Sequence, residues 1–421
     1  MNMSFATKVL EAHRPDLGPY EELYKHFHAN PELSFQEAET AAKIVAHLKS
    51  LVAYDVFASI GGHGVAALLR NGEGGKVLLR ADIDGLPVEE RSGVAYQSRR
   101  RAGEGEGKGV MHACGHDMHI TALLAAADTL VASREAWAGT VVLVFQPAEE
   151  KGAGARAMVE DGLYDKVPVP DVVIGAHVMP YRAGVIGTKR GLIASSADSF
   201  HLTLHGRQAH ASMPARSIDP IVLAASTILR LQTIVSREVD PADFGVVTVS
   251  SCHAGDAENI IPDHADLKLN IRAEKPATRS RLLTSMRRII DAETSASNAP
   301  APTLEPLSNF PFLFNDDNVT DAIAATFAQH FEVGKCGFDT NIARLSGSED
   351  FGILATSVGR PSCFFLYGGT DPEVYDKAEE QGSLDELPSN HSPFFVPVIQ
   401  PTLGVAVDGY VGAALTFLRK G

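Results

Sequence analysis

Along the first 190 residues, apolar and polar positions alternate between two textures. Short, nearly continuous apolar runs occupy Val65 to Arg70, Lys76 to Arg80, Val141 to Phe145 and Val172 to Ala176, the pattern of strands buried on both faces. Ahead of them, Tyr20 to Leu51 reads as helices broken at Asn30-Pro31, with Ser34 and Glu37 spaced as a capping box, and between the second and third Ile120 to Val131 reads as an apolar, Ala-rich helix. Asn71-Gly72-Glu73-Gly74-Gly75 predicts a hairpin joining the first two runs, and Gly103 to Gly109 a flexible loop. Three of the runs empty into polar groups: Asp82, Glu149-Glu150 and His177. Open α/β sheets bind ligands at the carboxyl ends of their strands, so these groups are expected to meet at one rim.

Near Thr188 the texture changes. Phe200, Leu202 and Leu204 alternate with His201, Thr203 and His205, as in a half-buried strand, and a helix from Asp219 to about Ser236 follows. Val246 to Ser250, the alternating Leu267 to Arg272 and a helix from Pro276 to Ala296 complete the order strand, helix, strand, strand, helix. That order predicts a small ferredoxin-like α+β unit, with Asn298 to Pro302 as its exit linker. Scaffold then resumes with a helix at Val319 to Phe331, a β run at Cys363 to Tyr367 and a closing helix at Gly404 to Leu418. The expected fold class is α/β. A catalytic domain with a mixed, mostly parallel sheet flanked by helices spans 1–187 and 304–421, interrupted by an inserted α+β domain at 188–303.

Composition narrows the partners. The 421 residues carry 37 basic and 52 acidic side chains, a net charge of −15, which disfavours nucleic acid or an anionic membrane as the main partner but leaves room for a small anionic substrate. Cys114, Cys252, Cys336 and Cys363 are scattered without CxxC pairing, fitting a reducing compartment better than a disulfide framework. Met1 to Ser50 shows neither a secretory core nor a cleavage site, and no run reaches membrane-spanning length. The expected location is the cytoplasm.

The densest chemistry lies in Met111-His112-Ala113-Cys114-Gly115-His116-Asp117-Met118-His119. A thiolate and an imidazole two residues apart on a Gly-flexed turn suit a divalent transition metal. Together with Glu150, His177 and the late His391 of Asn390-His391-Ser392-Pro393, Cys114 and His116 offer a ligand set for Zn²⁺, Mn²⁺ or Co²⁺, and a paired site would stabilise both attacking and leaving oxygens. A lone buried cysteine is ordinarily a small hydrophobe and a lone histidine a hydrogen-bonded core residue; five such groups on separate elements outweigh that reading. Of Glu149 and Glu150, one can bind metal while the other accepts a proton, although an acidic pair at a helix start has the same spacing. His112 and His119 read as supporting or packing residues, and Asp117 as a cap for the following helix.

These residues carry a resemblance. Arg80-Ala81-Asp82-Ile83-Asp84-Gly85-Leu86-Pro87, His112 to Asp117, Gln146-Pro147-Ala148-Glu149-Glu150, Ala176-His177 and Asn390-His391-Ser392 resemble the metallo-amidohydrolases typified by hippurate hydrolase. Plant indole-acetyl-amino-acid hydrolases belong with them, within the wider aminoacylase and glutamate-carboxypeptidase superfamily. The match runs in order over nearly the whole chain. It implies two divalent metal ions per subunit held by Cys114, His116, Glu150, His177 and His391, with Glu149 as general base and Asp82 orienting a metal-ligating group. It also implies that the inserted domain is a lid that dimerises. His210, in Gly206 to Pro214, becomes a donor to the oxyanion that reaches the partner subunit's site. Asn259 and Arg272 become ligands of the oxyanion and the substrate carboxylate, and Gly347 to Phe351 lines or supports the site. Arg80 departs from the superfamily's peptidases, which carry a metal-binding histidine there, and Cys114 replaces their bridging aspartate; both imply a more loosely held second ion. The implied reaction is hydrolysis of N-acyl amino acids. A dipeptidase, an N-acetyl-diaminopimelate deacetylase and a catalytically idle metal-binding protein on the same fold are the alternatives.

Overall fold

The continuous apolar runs form neighbouring strands of one eight-stranded sheet. The computed structural model describes residues 4–103, 107–332, 334, 337–345 and 347–420; Cys336 and the centre of the 103–109 loop lie outside them. The chain divides into two units, the first comprising Met1–Ile193, Phe314–Arg344 and Asp350–Gly421, the second Ala194–Leu313 and Leu345–Glu349.

In the first unit the strand order is Asp55–Ile60, Gly64–Asn71, Gly139–Gln146, Lys76–Asp82, Val172–Arg182, Ser362–Thr370, Ile186–Gly187, Phe338–Asp339. Lys76–Asp82 runs parallel to Gly139–Gln146 and to Val172–Arg182, which in turn runs parallel to Ser362–Thr370. Antiparallel strands complete the sheet, which is therefore mixed around a parallel centre. The expected hairpin at 71–75 does not form: Gly139–Gln146 lies between the two runs, and the true hairpin joins Asp55–Ile60 to Gly64–Asn71. Turn chemistry acts over a few residues, whereas strands buried on both faces accept any apolar neighbour, so pairing was decided at long range.

The helix expected from Ile120 begins earlier and spans His116–Ala132. It is buried on almost every side, first turn included, so its polar groups need protein partners. Gly115, not Asp117, is its N-cap, and Asp117 Oδ1 accepts only the Met118 N–H (2.9 Å) within the first turn. Gly115 precedes the helix in a left-handed conformation (φ 84°), and Asp117 turns to His28, whose Nδ1 lies 2.6 Å from Asp117 Oδ2 and Nε2 3.0 Å from Glu90 Oε1. All three side chains are fully buried. The capping box fails similarly. The Glu39 (3.2 Å) and Thr40 (2.8 Å) N–H groups in the first turn of helix Ala38–Ser50 donate to the Glu32 carboxylate, while Ser34 Oγ donates to Asp84 Oδ2 (2.7 Å) and the Glu37 carboxylate accepts from the backbone of Phe35 (2.8 Å).

The second unit runs strand Ser196–His205, helix Pro220–Glu238, strands Gly245–His253 and His264–Ala273, helix Pro276–Ala296 and strand Thr303–Phe310. Its four strands form an antiparallel sheet in the order second, third, first, fourth, the arrangement of a ferredoxin-like unit. Because Thr303–Phe310 completes this sheet, the chain returns to the first unit near Phe314, not at 304.

The buried trio predicts a pH dependence of stability. Burial disfavours the His28 cation, but hydrogen bonds to Asp117 and Glu90 and their charges raise its pKa to about 9. With the unfolded value near 6.5, its stabilisation is complete below that pH and is lost as the pH rises through 9, amounting to roughly 3 kcal/mol at most. Urea unfolding from pH 6 to 10 is expected to show this decline, and His28→Gln to flatten it.

Candidate metal centre

Tautomers fix which nitrogens are available. His116, the first residue of its helix, donates from Nδ1 to the Asp84 carbonyl (2.9 Å), which directs the Nε2 lone pair toward Asp82 Oδ2 (3.6 Å) and Glu150 Oε1 (3.8 Å). His177 donates from Nδ1 to the Val178 carbonyl (2.7 Å), leaving Nε2 3.5 Å from Cys114 Sγ. His177 does not end its strand, which continues to Arg182, but its pairing with Lys76–Asp82 stops at Gly175, so the side chain still stands at that rim. His391 follows the backbone bond of its own N–H to the Ala113 carbonyl (2.8 Å) and lies with Nε2 3.3 Å from Glu150 Oε1.

These groups converge. Cys114, His116 and Glu150 offer ligand atoms within 4.8 Å of one another, and so do Asp82, His116, His119 and His177. His119, however, has no nitrogen to spare. The Val178 N–H donates to its Nε2 (2.9 Å), so the proton sits on Nδ1 and goes to Asp82 Oδ1 (2.5 Å); His119 orients Asp82 and is not itself a ligand. Sequence reading assigned it only support or packing, and the neighbouring acid is what gives that support its purpose.

Two atoms argue for a cation. His116 Nε2 and Glu150 Oε1 are buried and make no hydrogen bond, and buried polar atoms are rarely left so. The electrostatics agree. Burial opposes a charge on His116, yet the Asp82, Asp84 and Glu150 carboxylates raise its pKa to about 10, a measure of how strongly the spot attracts positive charge. Burial opposes ionisation of Asp82, but Arg80, His116 and His119 hold its carboxyl well below the usual range. His177 is kept neutral by burial and by the adjacent His119, while burial and the nearby Glu150, Glu149 and Asp82 push the Cys114 thiol well up. A soft thiol, neutral imidazole and carboxylates fit a divalent transition metal, whose binding drives the thiol to its ligating form.

Local backbone sets these side chains. Gly115 is required because a Cβ there would meet Val178 Cγ1 at 2.3 Å. Ala148 (φ 49°) and His391 (φ 72°) are non-glycine residues in the left-handed region, the kind of strain that surrounding structure sustains at functional sites. Asp84 anchors the acidic pair: its Oδ1 accepts from Glu149 N (3.1 Å) and its Oδ2 from Glu150 N (3.2 Å). Asn390 Nδ2 donates to the Cys114 and Val178 carbonyls (both 3.2 Å), tying the His391 segment to two ligand-bearing strands and turns. Neither Asp84 nor Asn390 stood out as a site residue in the sequence. The signal was there for both: Asp84 shares a face with Asp82 in extended chain, and Asn390 adjoins His391.

Arg80 is fully buried and bonds Asp82 Oδ2 (2.8 Å) and Gln146 Oε1 (2.9 Å), while Gln146 Nε2 donates to Asp350 Oδ1 (2.6 Å). A permanent cation therefore stands beside Asp82 at this position.

The remaining candidates lie in the second unit. His210 pairs with Ile260 in a short ladder, which brings it beside Asn259. The Ser212 N–H donates to His210 Nδ1 (3.1 Å), so the exposed ring carries its proton on Nε2 and presents a donor. Arg272 lies on the four-stranded sheet, bonded to Asn270 Oδ1 (3.0 Å) and Ser348 Oγ (3.4 Å).

Known proteins resemble the chain over most of its length. The sequence profile of peptidase family M20/M25/M40 matches residues 78–390. The hippurate hydrolase of Campylobacter jejuni is 36% identical over 360 residues, 85% of this chain and 90% of that protein. The N-acetyl-L-cysteine deacetylase of Bacillus subtilis is 37% identical over 382 residues, 88% and 85% respectively. A crystal structure of a dinuclear metal-binding peptidase of the M20 family from B. subtilis superposes with a TM-score of 0.71 at 27% identity, covering 98% of both chains.

Cys114→Ala and His177→Ala are expected to lower bound metal, measured by elemental analysis after loading, while leaving the circular dichroism spectrum intact. Gly115→Ala, which forces a Cβ into Val178, is expected to cost on the order of 2 kcal/mol in urea unfolding and to reduce metal content as well.

Proposed function

Because the chain belongs to peptidase family M20/M25/M40, we propose that it hydrolyses the amide bond of N-acyl amino acids, of hippurate-like or N-acetyl type, releasing a carboxylic acid and a free amino acid. The observation that carries this reading is the pair of buried ligand atoms that make no hydrogen bond, His116 Nε2 and Glu150 Oε1, with a further buried carboxylate, Glu149, next in sequence to Glu150. The hippurate hydrolase and N-acetylcysteine deacetylase names of the relatives support the substrate class.

Cys114, His116, Glu150, His177 and His391 would hold two divalent ions, of zinc, manganese or cobalt. When bound, such ions polarise the scissile carbonyl and acidify water. Asp82, held by Arg80 and His119, keeps its carboxylate charged beside His116. Glu149 leaves the Ala148 turn next to Glu150 without sharing its ligand role; it takes the proton of the attacking water and returns it to the leaving amine nitrogen. His210, with its proton on Nε2, donates to the developing oxyanion. Asn259 and Arg272 bind the oxyanion and the substrate carboxylate. In this reading the protein is a homodimer, His210 serves the site of the second copy, and the second unit is the lid.

A cytoplasmic location agrees with the free Cys114, Cys252 and Cys363. No helix among the described residues is long and apolar enough to cross a membrane.

Metal-loaded protein assayed against hippurate, acetyl and longer acyl amino acids is expected to hydrolyse at least one class and to lose that activity to a chelator. Glu149→Ala is expected to keep its metal and lose roughly 10²- to 10⁴-fold in kcat; undiminished turnover overturns the base assignment. His210→Ala is expected to fold, to be inactive alone, and to regain activity when mixed with Glu149→Ala subunits.

A further inference from the structure

The Glu149–Glu150 turn is launched from Ala148, whose left-handed backbone (φ 49°) an L side chain rarely adopts. Its N–H is satisfied by neither strand nor helix; it donates to Glu37 Oε1 (2.9 Å). The same oxygen accepts the N–H of Phe35 (2.8 Å), a second non-glycine residue in the left-handed region (φ 65°). Glu37 is fully excluded from solvent and its other oxygen, Oε2, makes no hydrogen bond. One buried carboxylate oxygen thus ties two strained turns together. Next to Phe35 stands Ser34, which donates to the Asp84 carboxylate, and that carboxylate in turn accepts the N–H groups of Glu149 and Glu150.

Three successive backbone N–H groups, of Ala148, Glu149 and Glu150, are therefore held by two buried acids brought from different elements. We propose that Glu37 is a positioning residue for the metal centre: by fixing Ala148 in its left-handed conformation, it aims Glu150 as a ligand and Glu149 as a base. The part concerning Glu149 rests on the proposed amidohydrolase function; the part concerning Glu150 rests on geometry alone. Glu37 touches neither ligand atom, so its effect passes through the backbone. Its Oε1 must reach two N–H groups at once, which makes the position of that oxygen, more than the charge, the property that matters. A carboxylate that served only packing would not need to lie between two left-handed residues. Burial and the neighbouring Asp84 raise the Glu37 pKa to about 7, which shows how costly a charge is here and why a plain packing residue would have been the easier choice.

Three variants separate position from charge. Glu37→Gln keeps an oxygen able to accept both N–H groups, Glu37→Asp keeps the charge but withdraws the oxygen by one methylene, and Glu37→Ala removes both. Each is loaded with cobalt, its visible absorption spectrum recorded as a report on ligand geometry, and its kcat and KM measured on the best substrate of the wild type. Glu37→Asp and Glu37→Ala are expected to alter the cobalt spectrum and to lower kcat by roughly 10- to 100-fold with KM changed less than about threefold, and Glu37→Gln to restore most of both. Wild-type spectra and kcat in Glu37→Asp, or equal damage in Glu37→Gln and Glu37→Asp, overturn the proposal. Should Glu37→Ala fail to fold, the Gln and Asp variants decide alone. If the wild-type protein hydrolyses no N-acyl amino acid, the function reading fails while the cobalt spectra still decide the role of Glu37.

Discussion

Backbone carbonyls choosing imidazole protons is the interaction on which the metal centre depends. The Asp84 and Val178 carbonyls each take an Nδ1 proton, from His116 and His177, and thereby release two Nε2 lone pairs into the same small volume. The Val178 N–H does the opposite to His119, occupying its Nε2 and sending its Nδ1 proton to Asp82. The two backbone groups of one residue, Val178, thus leave one imidazole Nε2 open and fill the other. A metal-binding histidine almost always has its other nitrogen engaged in this way, because an unfixed ring would cost affinity through its freedom to rotate.

The second constraint is charge. Asp82, Asp84, Glu149 and Glu150 crowd a largely buried volume, and such a concentration of carboxylates is tolerable only with cations among them. Arg80 provides one permanently, wedged between Asp82 and the Gln146–Asp350 pair. Buried ion pairs contribute little net stability compared with well-packed apolar groups; their presence here is better understood as setting the charge state of the site. The His28 trio is a second example: Asp117, one residue after His116, and Glu90 hold an imidazolium in the interior.

Strain is concentrated at the same rim. Ala148 and His391 adopt left-handed backbone conformations and Gly115 supplies a third, so the segments bearing Glu149, Glu150, His391 and His116 all leave their elements by sharp turns. Buried side chains reaching in from distant segments maintain them: Glu37 and Asp84 at the acidic pair, Asn390 and the Ala113 carbonyl at His391.

Much of this was legible in the chain. Continuous apolar runs of about five residues, too short for most helices, announced buried strands, and the polar groups Asp82, Glu149-Glu150 and His177 at their ends marked the rim. The change of texture near Thr188 marked the second unit, because half-buried strands must alternate. Family resemblance in the motifs from Arg80 to Ser392 supplied the chemistry, which residue spacing alone left open between Glu149 and Glu150. What the sequence could not decide were matters in which residues far apart compete for the same partner. Local spacing offered Ser34 and Asp117 as helix caps and Asn71 to Gly75 as a hairpin; instead Glu32 takes the first-turn N–H groups of Ala38–Ser50, Gly115 stands at the N-cap of His116–Ala132, and the Gly139–Gln146 strand separates the two runs. Secondary structure and ligand types follow from the periodicity and chemistry of neighbouring residues, whereas strand partners, tautomers and the satisfaction of buried acids follow from which distant groups burial brings within hydrogen-bonding distance, and only the folded chain determines that.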